Sequence, residues 1–312
     1  MYFPYLRARQ FELIALRELV LEKVLQNKII PVLEPVKESF SNLNLAHKVF
    51  QENNFKPFLI VNPLEGEFSG DTELFLDYLK NLENCHYLPS FHYKDNFDYI
   101  ISKIKEYHLS ECLIICFDNF TDENNLKQLY DNTNVTKIML LDPNKNRNLD
   151  RKLKGYNKFY IRLDDIFEKQ QKNADFLEIQ AHKFSEEHLY YKAENYNGFS
   201  DFTILPKEFI EGGMLPRAVV IHLTYINAAS NNEIWIRHFT SESNDTNSNV
   251  QGKFAEAAQK AIQFCETNGF RNSAIDELKN YLNEARYPGL GTIKKISIKN
   301  HLLIISKFLD SI

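Results

Sequence analysis

Successive apolar runs in this chain end on a polar residue, at Glu34, Asn62, His92, Asp118, Asp142 and Asp164. Asp165, Asp201 and His222 stand in similar places further on. If the runs are parallel strands, their last residues gather at one face of the sheet, where loops vary freely and active sites are built. Carboxylates that converge in a cleft raise one another's pKa, so one can hold a proton while another accepts one. They can also share a divalent cation. On this reading Glu34, Asp118, Asp142 and Asp164 are acid, base or metal-binding groups, with His92 beside them as a proton carrier near neutral pH. Arg7, Arg9, Asn62, Arg162, Asp201 and His222 become candidates for holding substrate. Arg162 lies on the same run as Asp164 and could neutralise an anion.

A plainer reading competes with this one. Asp and Asn follow strands because they cap the next helix or open a turn. Asn62-Pro63 and Asp142-Pro143 have the look of turn openers. A single histidine in an apolar run is often a satisfied core residue. Glu34 is the member of the set least suited to capping.

These residues need a scaffold, and the chain supplies a regular one. Residues 8–27 have near-helical apolar spacing, which predicts a first helix. Short β-rich runs then begin at Ile29, Pro57, Tyr87, Cys112, Thr136 and Lys158. Helical periods near Leu43–Phe50, Thr72–Leu82, Phe97–Tyr107 and Glu123–Tyr130 separate the first five. From Glu34 onward the polar ends are 28, 30, 26, 24 and 22 residues apart, each enough for one strand, one helix and two loops. Such alternation predicts parallel strands covered by helices. No GxGxxG follows any run, which disfavours a dinucleotide fold. An α/β barrel of the (β/α)8 kind with extra C-terminal helices is expected, a doubly wound open sheet being the alternative.

Beyond residue 165 the rhythm weakens. Phe199–Pro206 and Arg217–Tyr225 are expected as the seventh and eighth strands, with Glu233–Phe239 returning from the latter as a hairpin across Asn227–Asn232. Thr240–Gly252 is a polar loop, and helices follow at Lys253–Thr267, Ala274–Ala285 and Leu302–Ile312. No change of composition marks a boundary, so residues 1–312 are expected to form a single barrel-like domain whose C-terminal helical segment covers about 253–312. Arg7 and Arg9 sit where a first helical turn begins, opposing its dipole, so a compensating contact is expected. Tyr287–Lys295 is a glycine turn with adjacent Lys294 and Lys295, without phosphate-loop spacing.

Composition narrows the functional classes. With 44% hydrophobic residues in 312, the chain can bury a large core and is not a disordered segment. A net charge of −5 gives no basic footprint, so nucleic-acid binding would need a local patch. Cys85, Cys112, Cys116 and Cys265 have no metal-site spacing, and Cys112 and Cys116 share one face of a strand. The first residues lack the apolar core of a signal peptide, and no apolar stretch approaches membrane-spanning length. A cytoplasmic protein with reduced thiols and no membrane partner is expected.

Several segments carry a likeness. They are Tyr5-Leu-Arg-Ala-Arg-Gln-Phe-Glu-Leu-Ile-Ala-Leu-Arg-Glu18, Ile30–Val36, Phe58–Pro63, Gly198–Asp201, Gln251–Ala257 and Tyr287–Gly291. Together they resemble the phage-type "Beta protein" family in the branch found in bacterial genomes. Where such families use Gly-Asp-Tyr, this chain has Gly198-Phe-Ser-Asp201-Phe202. The resemblance implies an accessory gene of phages, mobile elements or defence islands, in some cases encoded beside a small protein partner. It transfers no catalytic residue.

Three functions follow. One is an accessory protein of antiviral defence or a mobile element, acting with a nearby-encoded partner on nucleic acid or a nucleotide. A second is a barrel hydrolase or lyase acting on a phosphate- or carboxylate-bearing small molecule, with or without a divalent cation. The third is a scaffold that has lost catalysis. The residues alone leave open whether the protein is an enzyme, and no metal or other cofactor is specified.

Overall fold

The run Cys112-Leu-Ile-Ile-Cys116 is buried at all five positions, as a strand covered on both faces must be. In the computed structural model, which describes residues 1–25, 28–37, 39–118, 122–210 and 217–311, it is one strand of an eight-stranded, all-parallel sheet. The end of the expected first helix at residues 26–27 and the last residue of the expected final helix lie outside the described residues.

The barrel strands are β1 (Tyr5–Leu6), β2 (Val32–Leu33), β3 (Phe58–Ile60), β4 (Leu88–Tyr93), β5 (Cys112–Cys116), β6 (Val135–Leu141) and β7 (Phe159–Asp164). After β8 (Ala181–Ser185), which belongs to a different sheet, β9 (Gly198–Asp201) completes the set. Neighbours in space are neighbours in sequence, with no switch point, so the open-sheet alternative is set aside. Tyr2 bridges Phe199, the Phe3 amide donates to the Phe199 carbonyl at 2.9 Å, and the sheet nearly closes into a barrel.

Helices flank it: α1 (Gln10–Leu21), α2 (Ser41–Glu52), α3 (Leu74–Asn81), α4 (Phe97–Glu106), α5 (Glu123–Asp131) and α6 (Arg147–Lys154) follow β1 to β6 in turn. After α7 (Phe176–Ile179), α8 (Glu187–Tyr190) leads into β9. Asp122 starts α5 by accepting from the amides of Asn124 and Asn125 at 2.8 and 3.1 Å. In α6 the buried residues are Leu149 and Leu153, two apolar positions one helical turn apart in an otherwise polar run.

One expectation, the identity of the eighth barrel strand, needs correction. The chain divides into two compact units. The first holds Met1–Leu13, Arg17–Asp165 and Glu187–Phe202, and the second Ile14–Leu16, Ile166–Glu186 and Thr203–Ile312. The strand missing from the sequence-based barrel is β1, read there as the approach to a helix; two buried residues carry too little pattern to announce a strand. The expected eighth strand is instead β10 (Val220–Asn227) of the second unit. It pairs with β11 (Glu233–Thr240) in the expected hairpin, and β11 pairs with β8, all antiparallel.

Ile221, Leu223 and Phe239 of that sheet, with Val219 just before β10, share a core with Phe254, Ala257, Ala258 and Ala261 of α9 (Val250–Asn268). α10 (Ser273–Asn283) and α11 (Leu290–Asp310) complete the unit. Lys294 and Lys295 lie on α11, not in a turn, and Lys295 is buried against Glu277 at 2.7 Å. Among the described residues no helix is long and apolar enough to cross a membrane.

Gly198 has a specific job in closing the barrel. A Cβ there would come within 2.6 Å of the Phe3 ring and 3.3 Å of the Met1 carbonyl. Replacing Gly198 with Val should therefore pry β9 from the N-terminal strand and lower unfolding free energy by roughly 1–3 kcal/mol, measured by urea denaturation.

Candidate functional site

Side chains alternate across a strand, so in a barrel every second residue points inward. Phe3, Tyr5, Val32, Phe58, Ile60, Leu113, Ile115, Met139, Leu141, Ile161, Leu163 and Phe202 form one buried cluster, and they mark the inward parity of each strand. Two residues beyond Tyr5, Val32 and Ile60 come Arg7, Glu34 and Asn62, and His92 shares the parity of buried Ser90. On the other strands the same layer holds Phe117, Leu141, Leu163 and Phe202. The carboxyl-end mouth is thus polar along β1 to β4 and apolar along β5, β6, β7 and β9.

The polar half is one connected network. Glu34 is fully buried, and Oε1 accepts from the amides of Leu64 at 2.7 Å and Glu65 at 3.3 Å. Its Oε2 accepts from the Tyr5 hydroxyl at 2.7 Å and from Arg7 Nη1. The Tyr5 oxygen lies 2.9 Å from His92 Nε2. Since the single Tyr5 proton goes to Glu34, the imidazole carries its proton on Nε2 and donates it to Tyr5. That leaves His92 Nδ1 as a bare lone pair, buried and without a hydrogen-bond partner. Burial, then the charges of Arg7 and Lys94, push the His92 pKa down to about 3, so the ring is neutral at physiological pH. Burial also pushes the Tyr5 phenol above its ordinary range.

Asn62 turns sideways and clamps the next strand: its Oδ1 accepts from the His92 amide and its Nδ2 donates to the His92 carbonyl, both at 2.8 Å. The Phe117 ring packs edge-on against the imidazole with centroids 4.7 Å apart. Tyr5 and Arg7 both lie against Phe202, the phenol ring at 4.9 Å and the guanidinium carbon at 5.7 Å. Each member is therefore held on more than one side.

The other expected residues do not join them. Asp118 is exposed. Asp142 adopts a left-handed turn conformation (φ 44°) and pairs with Lys145 at 2.7 Å, which bears out its look of a turn opener. Arg162 and Asp164 have the opposite parity to Ile161 and Leu163, and face out of the barrel. Arg162 Nε and Nη2 grip Asp164 at 2.8 and 3.0 Å, while Nη1 reaches Glu187 at 2.5 Å and Glu194 at 2.9 Å. A guanidinium so occupied is not available to a substrate anion. Burial pushes the Asp164 carboxyl up, Arg162 draws it back, and the nearby charges of Asp142 and Asp201 push it up again. Asp201 accepts from the Tyr2 hydroxyl at 2.6 Å, also on the outward parity.

His222 belongs to the second unit, where its Nδ1 lies 2.7 Å from that of His238 on the facing strand. Arg9 stands at the N-terminal boundary of α1 and lines a cavity of about 210 Å³ with Pro35 and Lys37, between the loops after β1 and β2. The expected meeting of carboxylates around a cation is not formed: among the described residues no group of three or more His, Cys, Asp or Glu side chains is arranged to hold a metal ion. Tyr5, the hinge of the network, was missed by sequence reasoning. The alternation Phe3–Tyr5–Arg7 was the available signal, hidden by reading that stretch as the lead-in to a helix.

In comparisons with protein families, with characterised proteins and with solved structures, the chain matches none.

Two measurements test this geometry. Glu34→Gln strips the charge that offsets buried Arg7, and should cost about 3–5 kcal/mol in urea unfolding, whereas Asp118→Ala should stay within about 0.5 kcal/mol of the parent. The second concerns acid. His92 takes up a proton near pH 6.5 when unfolded but only near pH 3 when folded, so stability is full above pH 6.5 and falls as pH drops toward 3. Half-buried His222, whose pKa desolvation lowers to about 4, acts in the same direction. His92→Gln should flatten the slope between pH 6 and 4 by up to about 1.4 kcal/mol per pH unit.

Proposed function

We propose that the barrel is a hydrolase or lyase acting on a small molecule that bears a carboxylate or phosphate, with His92 as the group that accepts a proton, from the attacking water in hydrolysis or from the substrate in an elimination. The chain Arg7–Glu34–Tyr5–His92 at the carboxyl-end mouth carries this reading. A neutral imidazole with an unused lone pair can accept a proton, and a substrate anion brought beside it would raise its basicity from the low value that burial imposes. Glu34, fixed by the Leu64 and Glu65 amides, holds Tyr5, and Tyr5 holds His92 in one tautomer. This is the logic of a base oriented by a further group. Arg9 supplies positive charge beside the mouth, and the cavity it lines offers an anionic group an approach. With Glu34, Tyr5 and His92 each at most 1% exposed, substrate reaches them only when the loops after the first strands move aside.

The test is a turnover screen of phosphorylated and carboxylated small molecules with the full chain. Activity should fall by roughly 10²–10⁴ in His92→Gln and survive in Asp118→Ala. Undiminished turnover in His92→Gln, or no turnover of any such compound by the parent, sinks the reading.

The likeness to Beta proteins supports a second, separate reading, an accessory role in phage–host conflict exercised through a partner. It rests on the segments quoted above and not on the barrel mouth. Affinity purification from the native host should recover a small protein; recovery of neither protein nor nucleic acid would count against it.

A further inference from the structure

The second unit contains a cavity of about 310 Å³, within the range of small-molecule sites and far above the voids ordinary packing leaves. Its wall includes Tyr225 of β10, Phe264 of α9 and Phe270 just beyond that helix. The three rings touch one another, with centroids 5.2, 5.4 and 5.7 Å apart. Leu303, Ile304 and Phe308 of α11 line it as well. Most of the surface offered to an occupant is therefore hydrocarbon.

Polar groups are few, and they share one sign. Arg271 and Lys307 are both exposed and both line the cavity, and no Asp or Glu does. Neither cation makes a hydrogen bond or ion pair among the described residues, whereas Lys260 and Lys279 nearby each find a carboxylate. The Tyr225 hydroxyl is likewise without a hydrogen-bond partner there. The remaining amides are spoken for: Asn272 caps α10 through the Ile275 amide and donates to Asn300, and Asn300 donates to the Thr224 carbonyl at 2.7 Å. These bonds brace the wall and take no part in recognition. At Gly269 an added Cβ would meet nothing within 4 Å, so the cavity's edge is open at that point.

We infer that this cavity binds an amphiphile with an alkyl or acyl body and an anionic head, the body against the three rings and α11, the head between Arg271 and Lys307. A neutral apolar ligand would leave both cations unused, and a cationic one would be repelled. A polar ligand such as a sugar would find too few donors and acceptors to replace its water. The carboxylate and phosphate versions share this chemistry and are separated by experiment.

Binding is measured by titration calorimetry and thermal shift on the full chain, with decanoate and decyl phosphate kept below micelle formation. Decanol and decyltrimethylammonium are the neutral and cationic controls. At least one anion should bind saturably and at least tenfold more tightly than both controls; whichever anion is tighter identifies the head group. The double variant Arg271→Glu/Lys307→Glu changes only exposed side chains, keeps the fold, and should lose at least tenfold for the anion. Leu303→Trp fills the cavity and should abolish binding. The inference is overturned if neither anion binds, if decanol binds as well as the anions, or if charge reversal leaves affinity unchanged.

Discussion

A closed parallel sheet leaves each strand residue only two destinations, the barrel's interior or the layer beneath the helices, and strict alternation assigns them. Everything specific about the mouth of this barrel follows from that assignment. Once Tyr5, Val32 and Ile60 are committed inward by the apolar core, Arg7, Glu34 and Asn62 must follow two residues later at the top layer. Ile161 and Leu163 commit inward by the same rule, and so Arg162 and Asp164 are sent out. Charge at a strand end is therefore not enough to place a group in the mouth. Parity decides.

The resulting division of the mouth has an energetic logic. A carboxylate at zero exposure is costly to desolvate, and attraction to a single cation does not by itself repay the loss. Glu34 is instead surrounded on both oxygens, by two backbone amides, a phenol and a guanidinium. The aromatic half of the mouth then works in its favour, because Phe117 and Phe202 exclude water and lower the local dielectric in which those bonds act. The same dryness keeps His92 neutral. One environment thus holds an ionised carboxylate and an uncharged imidazole 3.7 Å apart.

The strand–helix alternation was legible because its units are long and carry apolar runs of high contrast, such as Cys112–Cys116. The gathering of Glu34, Asn62 and His92 was legible too, since each closes a strand on the inward parity. Asp142 and Asp164 were misplaced because spacing from one strand end to the next is measured in whole strand–helix units, whereas facing changes with a single residue. β1 escaped notice because two residues cannot display alternation, and with it went Tyr5. The two-unit organisation left no trace in composition, since the antiparallel sheet of β8, β10 and β11 is built from the same apolar types as the barrel. What set β10 apart from a barrel strand was its hairpin partner, Glu233–Thr240, and that partner was visible.

A structural clasp and a working site differ in how their hydrogen bonds are distributed. A clasp gains from closing every polar group, because a partly satisfied buried network is worse than an apolar one. Here the Glu34 end is saturated, while the β4 end is open. His92 Nδ1 has no partner, and neither does the Ser90 hydroxyl one inward position down the same strand. The open atoms share one strand, opposite the anchored carboxylate, so the chain of donors and acceptors runs in one direction, from a fixed anion through a phenol to an imidazole with a spare lone pair. That polarity is the feature on which the proposed proton-accepting role of His92 rests.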